Sequence, residues 1–102
     1  MGYNGPMIEV RQTAEFSRWL RRLKNVNAAA RIVVRLRRIE LGNPGDYKSL
    51  GAGLMEMRID YGPGYRIYFI RHGSEIVILL CGGDKRTQSQ DIDRARRLAE
   101  KQ

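Results

Sequence analysis

The spacing of apolar positions changes period twice along the chain. Residues 7–12 alternate apolar and polar, the pattern of a strand with one buried face. After Thr13, whose hydroxyl suits a helix N-cap, Phe16, Trp19, Leu20 and Leu23 recur at helical spacing, with Arg18, Arg21, Arg22 and Lys24 turned away. Residues 25–27 make a short connection, with Asn27 as the expected second cap. Ala29, Ile32, Val33, Leu36 and Ile39 then repeat the helical stripe, while Arg31, Arg35, Arg37 and Arg38 lie mostly off it. Gly42 and Pro44 end that helix, so two closely joined helices should form an antiparallel hairpin.

From Asp46 the period becomes two. Met55, Met57, Ile59 and Tyr61 alternate with Glu56, Arg58 and Asp60. Gly62-Pro63-Gly64 is a turn, residues 65–71 a second strand of this set and 76–81 a third. That third strand is apolar on both faces, as in a doubly covered central strand. Gly82-Gly83 are expected to break it. Thr87-Gln88-Ser89-Gln90 reads as a capping box ahead of a final helix striped by Ile92, Ala95, Leu98 and Ala99. The order is β-α-α-β-β-β-α, with a further short strand at 47–50. The fold class is α+β: an antiparallel meander with an N-terminal helical hairpin and a C-terminal helix.

Turn chemistry suggests a register. Pairing Tyr61 with Tyr65 sets Asp60 opposite Arg66 and Arg58 opposite Tyr68, all to one side, with Met57 opposite Phe69 and Ile59 opposite Ile67 on the other. Pairing His72 with Glu75 adds Leu79 and Cys81 to the side of Arg66. One face is then expected to carry Arg58, Arg66 and Tyr68 over an apolar floor. Beside it Gly82-Gly83-Asp84-Lys85-Arg86 leads into the last helix, where backbone N–H groups and two cations form an expected anion seat. An RNA phosphate would fit there, with Tyr68 stacked on a base.

Length allows one domain over 1–102 with a modest core, 1–6 being a loose start. No apolar run is long enough to span a bilayer, and the first ten residues lack the charged-then-apolar order of a signal peptide. A cytoplasmic location is the expectation. One cysteine, Cys81, and one histidine, His72, exclude an intrachain disulfide and a cysteine-based zinc cluster. The 19 Lys and Arg, 15 of them Arg, exceed the acidic residues by eight, which points to a polyanionic partner, nucleic acid or acidic protein.

Each candidate has a second role open to it. Arg58 and Arg66 pair equally well with Glu56 and Asp60 across strands, and Tyr68 suits any strand. Lys85 and Arg86 suit a solvated loop, and the second helix's arginines a solvated or partner-binding face. Trp19 fits the core, His72 the surface and Cys81 a small buried hydrophobe. No hydrolase triad, metal-ligand spacing or nucleotide phosphate loop is present; Gly51-Ala52-Gly53 is too short for one.

Five stretches in order carry a family likeness: Phe16-Ser17-Arg18-Trp19-Leu20, Gly42-Asn43-Pro44-Gly45-Asp46, Leu50-Gly51-Ala52-Gly53-Leu54-Met55-Glu56-Met57-Arg58, Gly62-Pro63-Gly64-Tyr65-Arg66-Ile67-Tyr68-Phe69 and Leu79-Leu80-Cys81-Gly82-Gly83-Asp84-Lys85. Over about residues 8 to 100 the chain resembles the small HigB-like "addiction module killer" toxins of the RelE/ParE superfamily. The resemblance implies a RelE/ParE-like fold and a toxin of a bacterial type II toxin–antitoxin module. RelE and HigB relatives cut mRNA in the ribosomal A site; ParE relatives poison DNA gyrase. A ribosome-dependent mRNA endoribonuclease is the implied activity, a gyrase poison or a nucleic-acid binder without catalysis the alternatives. Arg58, Arg66 and Lys85 match the family's strand and loop cations and are the catalytic candidates; Lys48, Tyr68, Arg86 and Gln88 are the RNA-binding ones. Implied partners are a helix-turn-helix antitoxin, the ribosome and mRNA, with operator DNA bound through the antitoxin and no membrane. No cofactor or metal is implied. The chain departs from the ribonuclease toxins in lacking catalytic-type residues on a tail beyond the last helix.

Overall fold

The computed structural model describes residues 7–102; the expected loose start at 1–6 lies outside them. A central five-stranded sheet has the order β1-β5-β4-β3-β2. Its strands are β1 (Glu9–Gln12), β2 (Tyr47–Gly51), β3 (Leu54–Ile59), β4 (Tyr65–His72) and β5 (Ile76–Asp84). Helices α1 (Ala14–Arg22) and α2 (Val26–Glu40) precede β2, and α3 (Gln88–Glu100) follows a 3-10 turn at Lys85–Thr87. The α+β expectation holds, with one correction: the sheet is mixed. β1 runs parallel to β5, while the remaining pairs are antiparallel.

Both faces of the sheet are covered. On one, α1 and α2 bury Phe16, Ile32 and Ile39 against Met57, Ile67 and Phe69. On the other, α3 seals Leu54, Tyr68, Ile78, Leu80 and Cys81 beneath Ala95. Each fully buried apolar side chain contributes about 1.5–3 kcal/mol. The hydroxyl of Thr13 accepts from the N–H of Phe16 at 3.1 Å, the N-cap read from sequence, and donates to the carbonyl of Leu80 at 2.6 Å. The second cap is Asn25 rather than Asn27: its carboxamide oxygen accepts from the N–H of Ala28 at 3.0 Å. Gly51-Ala52-Gly53 forms the β2–β3 turn, all three at positive φ.

The register between β3 and β4 differs from expectation by two residues. Ile59 pairs with Tyr65 and Arg58 with Arg66, because Asp60 to Gly64 form one wide loop. In that loop the N–H of Tyr61 donates to the carbonyl of Ile59 and that of Gly64 to the carbonyl of Tyr61. A slip of two keeps every side chain on its side, so Arg58, Arg66 and Tyr68 still share a face. Between β4 and β5 the outcome is mixed. His72 pairs with Ile76, which turns Leu79 to the α1–α2 side with Phe69, against expectation. A bulge at Leu80 then returns Cys81 to the side of Tyr68. Gly82 and Gly83 do not end β5, which runs to Asp84.

Candidate functional site

Two adjacent rows of residues cross the α3 side of the sheet. One runs Lys48, Glu56, Tyr68, Cys81; the next runs Arg58, Arg66, Gly83. The rows follow from the pleat, since residues two apart on a strand share a face. Lys48, Arg58 and Arg66 are thus gathered around Glu56. A cavity of about 280 Å³ opens at the end of the second row, lined by Asp46, Arg58, Asp60, Gly64, Tyr65 and Arg66.

Two directly opposed guanidinium groups repel each other unless anions answer them. Here each has its own. Arg58 is half-exposed and lies 3.5 Å from the carboxylate of Asp46. Arg66 is mostly buried, and its Nη1 donates to Oε2 of Glu56 at 2.5 Å. Glu56 has no exposed surface, and its other oxygen accepts from Gln88 Nε2 at 3.4 Å. Gln88, in the first turn of α3, therefore reaches the centre of the site. The Nε of Arg66 is buried without a hydrogen-bond partner. The guanidinium is thus held at Nη1 by Glu56, with its Nε enclosed.

The turn before α3 is not the open anion seat expected of it. Asp84 occupies it: its carboxylate accepts from the backbone N–H of Arg86 at 2.8 Å and pairs with the Arg86 guanidinium at 2.8 Å. The hydrogen bond from Arg86 holds the Asp84 carboxyl below the usual carboxylate range. Arg86 is thereby engaged with its neighbour rather than with the Arg66 pocket. The expected capping box is also absent: Thr87 makes no cap bond and its hydroxyl donates to buried Asp91 at 2.6 Å. Lys85 stays exposed, and its N–H donates to the carbonyl of Gly64 at 3.1 Å. That bond ties the turn that carries Lys85 to the loop lining the cavity.

Tyr68 is corrected outright. It is fully buried under α3, so it cannot stack on a base. Burial pushes its phenol well above the ordinary tyrosine range, which also removes it from proton transfer near neutral pH. Its hydroxyl lacks a hydrogen-bond partner. Cys81, as expected, is buried, and burial pushes its thiol up to about 12.

Three contributors were not singled out as site residues from sequence. Glu56 holds Arg66, and Asp46 answers Arg58. Arg35, among the arginines expected to be solvated or to face a partner, instead donates to the carbonyls of Arg58 at 2.8 Å, Pro44 at 3.0 Å and Asp46 at 3.2 Å. It clamps α2 to the start of β2 and the end of β3. The available signal was a lone carboxylate, Glu56, in the otherwise apolar stretch 54–57, two residues from Arg58 and so on the same face. Among the described residues no group of three or more His, Cys, Asp and Glu side chains gathers to hold a metal ion, and no helix is long and apolar enough to cross a membrane.

Comparison with known proteins places these residues in context. Residues 18–100 match the family described as phage derived protein Gp49-like, a span that includes every member of the site. An uncharacterized protein of Haemophilus influenzae is 48% identical over 93 residues, covering 91% of this chain and 94% of the relative.

Proposed function

The chain belongs to the phage-derived Gp49-like family, whose members are toxins related to toxin–antitoxin modules, and on that premise we propose that it cleaves mRNA, with the Arg58–Arg66 pocket as its catalytic surface. A family of this kind implies an antitoxin partner. The observation that carries the reading is the cross-strand guanidinium pair at one cavity, one member rigidly held by buried Glu56.

RNA brings its own nucleophile. The 2′-oxygen attacks the adjacent phosphorus, the bond to the 5′-oxygen breaks, and a 2′,3′-cyclic phosphate and a 5′-hydroxyl result. Negative charge builds on the phosphoryl oxygens in between. Arginine stays protonated, so Arg58 and Arg66 act as donors to that charge and not as bases. Lys85, exposed on the turn tied to Gly64, is the group we assign to delivering a proton to the departing 5′-oxygen. Lys48 and Gln88 then orient the strand. The ribosome supplies the mRNA in register and any remaining proton acceptor.

Arg58→Ala tests this. Arg58 is half-exposed and bridges an exposed carboxylate, so its loss should leave the melting temperature nearly unchanged. Cleavage, read by primer extension on mRNA from induced cells, should fall about 100-fold or more. Full cleavage by Arg58→Ala would remove the pocket from the mechanism. Growth arrest by the unaltered protein with intact mRNA and broken chromosomal DNA would replace the whole reading with gyrase poisoning.

A further inference from the structure

The second helix is apolar on two sides. Ala28, Ile32, Leu36 and Ile39 face the sheet and are buried. On the outer side Val26, Ala30 and Val33 recur at helical spacing, with Val34 beside them; Arg37 follows on the same line, ahead of Leu41 at the C-cap. Val26 is 78% exposed, Val33 53%, Val34 51% and Leu41 50%. An outward apolar strip of this length on a basic helix needs a reason.

A groove flanks the strip on each side. One, of about 380 Å³, lies between α2 and the β3–β4 loop, with Ala30 and Val34 on one wall and Ile59 and Tyr61 on the other. Arg31 lies across the Tyr61 ring at 4.3 Å, and Arg38 stands on the same rim. The other groove, about 260 Å³, runs past Leu20, Val33 and Leu36, with Arg37 at its edge. The surface is therefore a valine ridge between two grooves, bordered on one side by Arg31, Arg35 and Arg38 with the carboxylate of Asp60 and on the other by the Arg37–Glu40 pair.

We infer that this face of α2 is the docking site of an acidic, amphipathic helix from a partner protein. Apolar side chains one turn apart on such a helix enter the two grooves, and its flanking carboxylates meet Arg31 and Arg38. Charge complementarity selects this occupant. A second copy of the chain would set the same arginines against each other. A nucleic acid would satisfy the arginines but gain nothing from exposed valines, and the Tyr61 ring is already covered by Arg31. The larger groove adjoins the Arg58–Arg66 pocket, sharing Ile59 and Asp60 with it, but the inference does not rest on RNA cleavage.

The test uses the full chain and a fluorescent synthetic peptide of about 15 residues, the length of α2. The peptide carries Leu and Ala along one helical face and Glu on the others. A scrambled isomer and a single-stranded RNA of equal charge serve as competitors. The amphipathic peptide should bind at least about tenfold tighter than its isomer, and amide shifts should concentrate on α2 and Tyr61. Val34→Asp should weaken binding about tenfold or more at an unchanged melting temperature; Arg38→Glu gives a second reading should Val34→Asp disturb folding. Equal binding of the two peptides overturns the inference, as does indifference to both substitutions. Displacement of the peptide from α2 by the RNA assigns the face to nucleic acid instead.

Discussion

Arg66 shows why one residue's role depends on what lies beneath it. Read as a strand cation on an open face, it should be removable at little cost in stability. Its partner Glu56, however, has no exposed surface, and stripping the guanidinium leaves a buried carboxylate without its ion-pair partner. Arg66→Ala should therefore cost about 3–5 kcal/mol of folding stability, measured by urea unfolding. The single substitution confounds catalysis with folding. Glu56→Gln combined with Arg66→Gln removes both charges, with an isosteric change at 56 and a shorter side chain at 66, so it should recover part of that loss while cleavage stays absent. A single variant that unfolds at the wild-type midpoint would mean that water or Gln88 alone suffices for Glu56. The pairing of Arg66 with Glu56 was open to the sequence as one of two roles. The burial was not, because alternation says which residues share a face and is silent about what will cover it. The same blindness made Tyr68 a stacking candidate when α3 seals it in.

At the level of elements, β5 carries the clearest case of a signal that has two meanings. Paired glycines after an apolar run read as a strand end. Here they continue the strand, and each serves a different face. A Cβ on Gly82 would fall 2.5 Å from the Trp19 ring, and one on Gly83 would fall 1.9 Å from a carboxylate oxygen of Asp91. The glycines let α1 and α3 close on the same strand from opposite sides. Gly82→Ala should then cost about 1–3 kcal/mol, since the indole ring is rigid and packs edge-on to Tyr65. The change should appear as a shift in tryptophan emission, Trp19 being the chain's one tryptophan. Unaltered emission and stability would show that α1 can retreat without loss. Most elements were legible from periodicity and caps, Thr13 above all, because long amphipathic stripes state their own period. The parallel pairing of β1 with β5 was not legible, since a four-residue strand carries no information about its neighbour. The bulge at Leu80 was hidden for a related reason: a doubly buried strand has no polar residues to mark the slip.

Over the whole molecule, the positive charge does not sit where the candidate chemistry does. Between Ala14 and Glu40 eight Arg and Lys face only Glu15 and Glu40, so this hairpin holds six of the eight excess charges. Around the Arg58–Arg66 pocket cations and carboxylates nearly cancel, through Asp46, Glu56, Asp60 and Asp84. The excess charge, visible from composition, thus lies on the helices, while the charges around the pocket are nearly balanced. The molecule is 45 Å along its longest axis, several times the screening length of about 10 Å at 0.1 M salt. Location should therefore matter more than the sum. Replacing Arg21, Arg22 and Lys24 by glutamine should slow association with an acidic partner protein about tenfold at low salt and flatten its salt dependence. Replacing Arg71, Arg97 and Lys101 by glutamine removes the same net charge from β4 and the end of α3. It should leave the association rate within about twofold of the unaltered chain if steering is local. Stopped-flow rates over a salt series decide between them. Equal slowing by the two triple variants would make net charge the determinant, and rates indifferent to salt would remove electrostatic steering altogether.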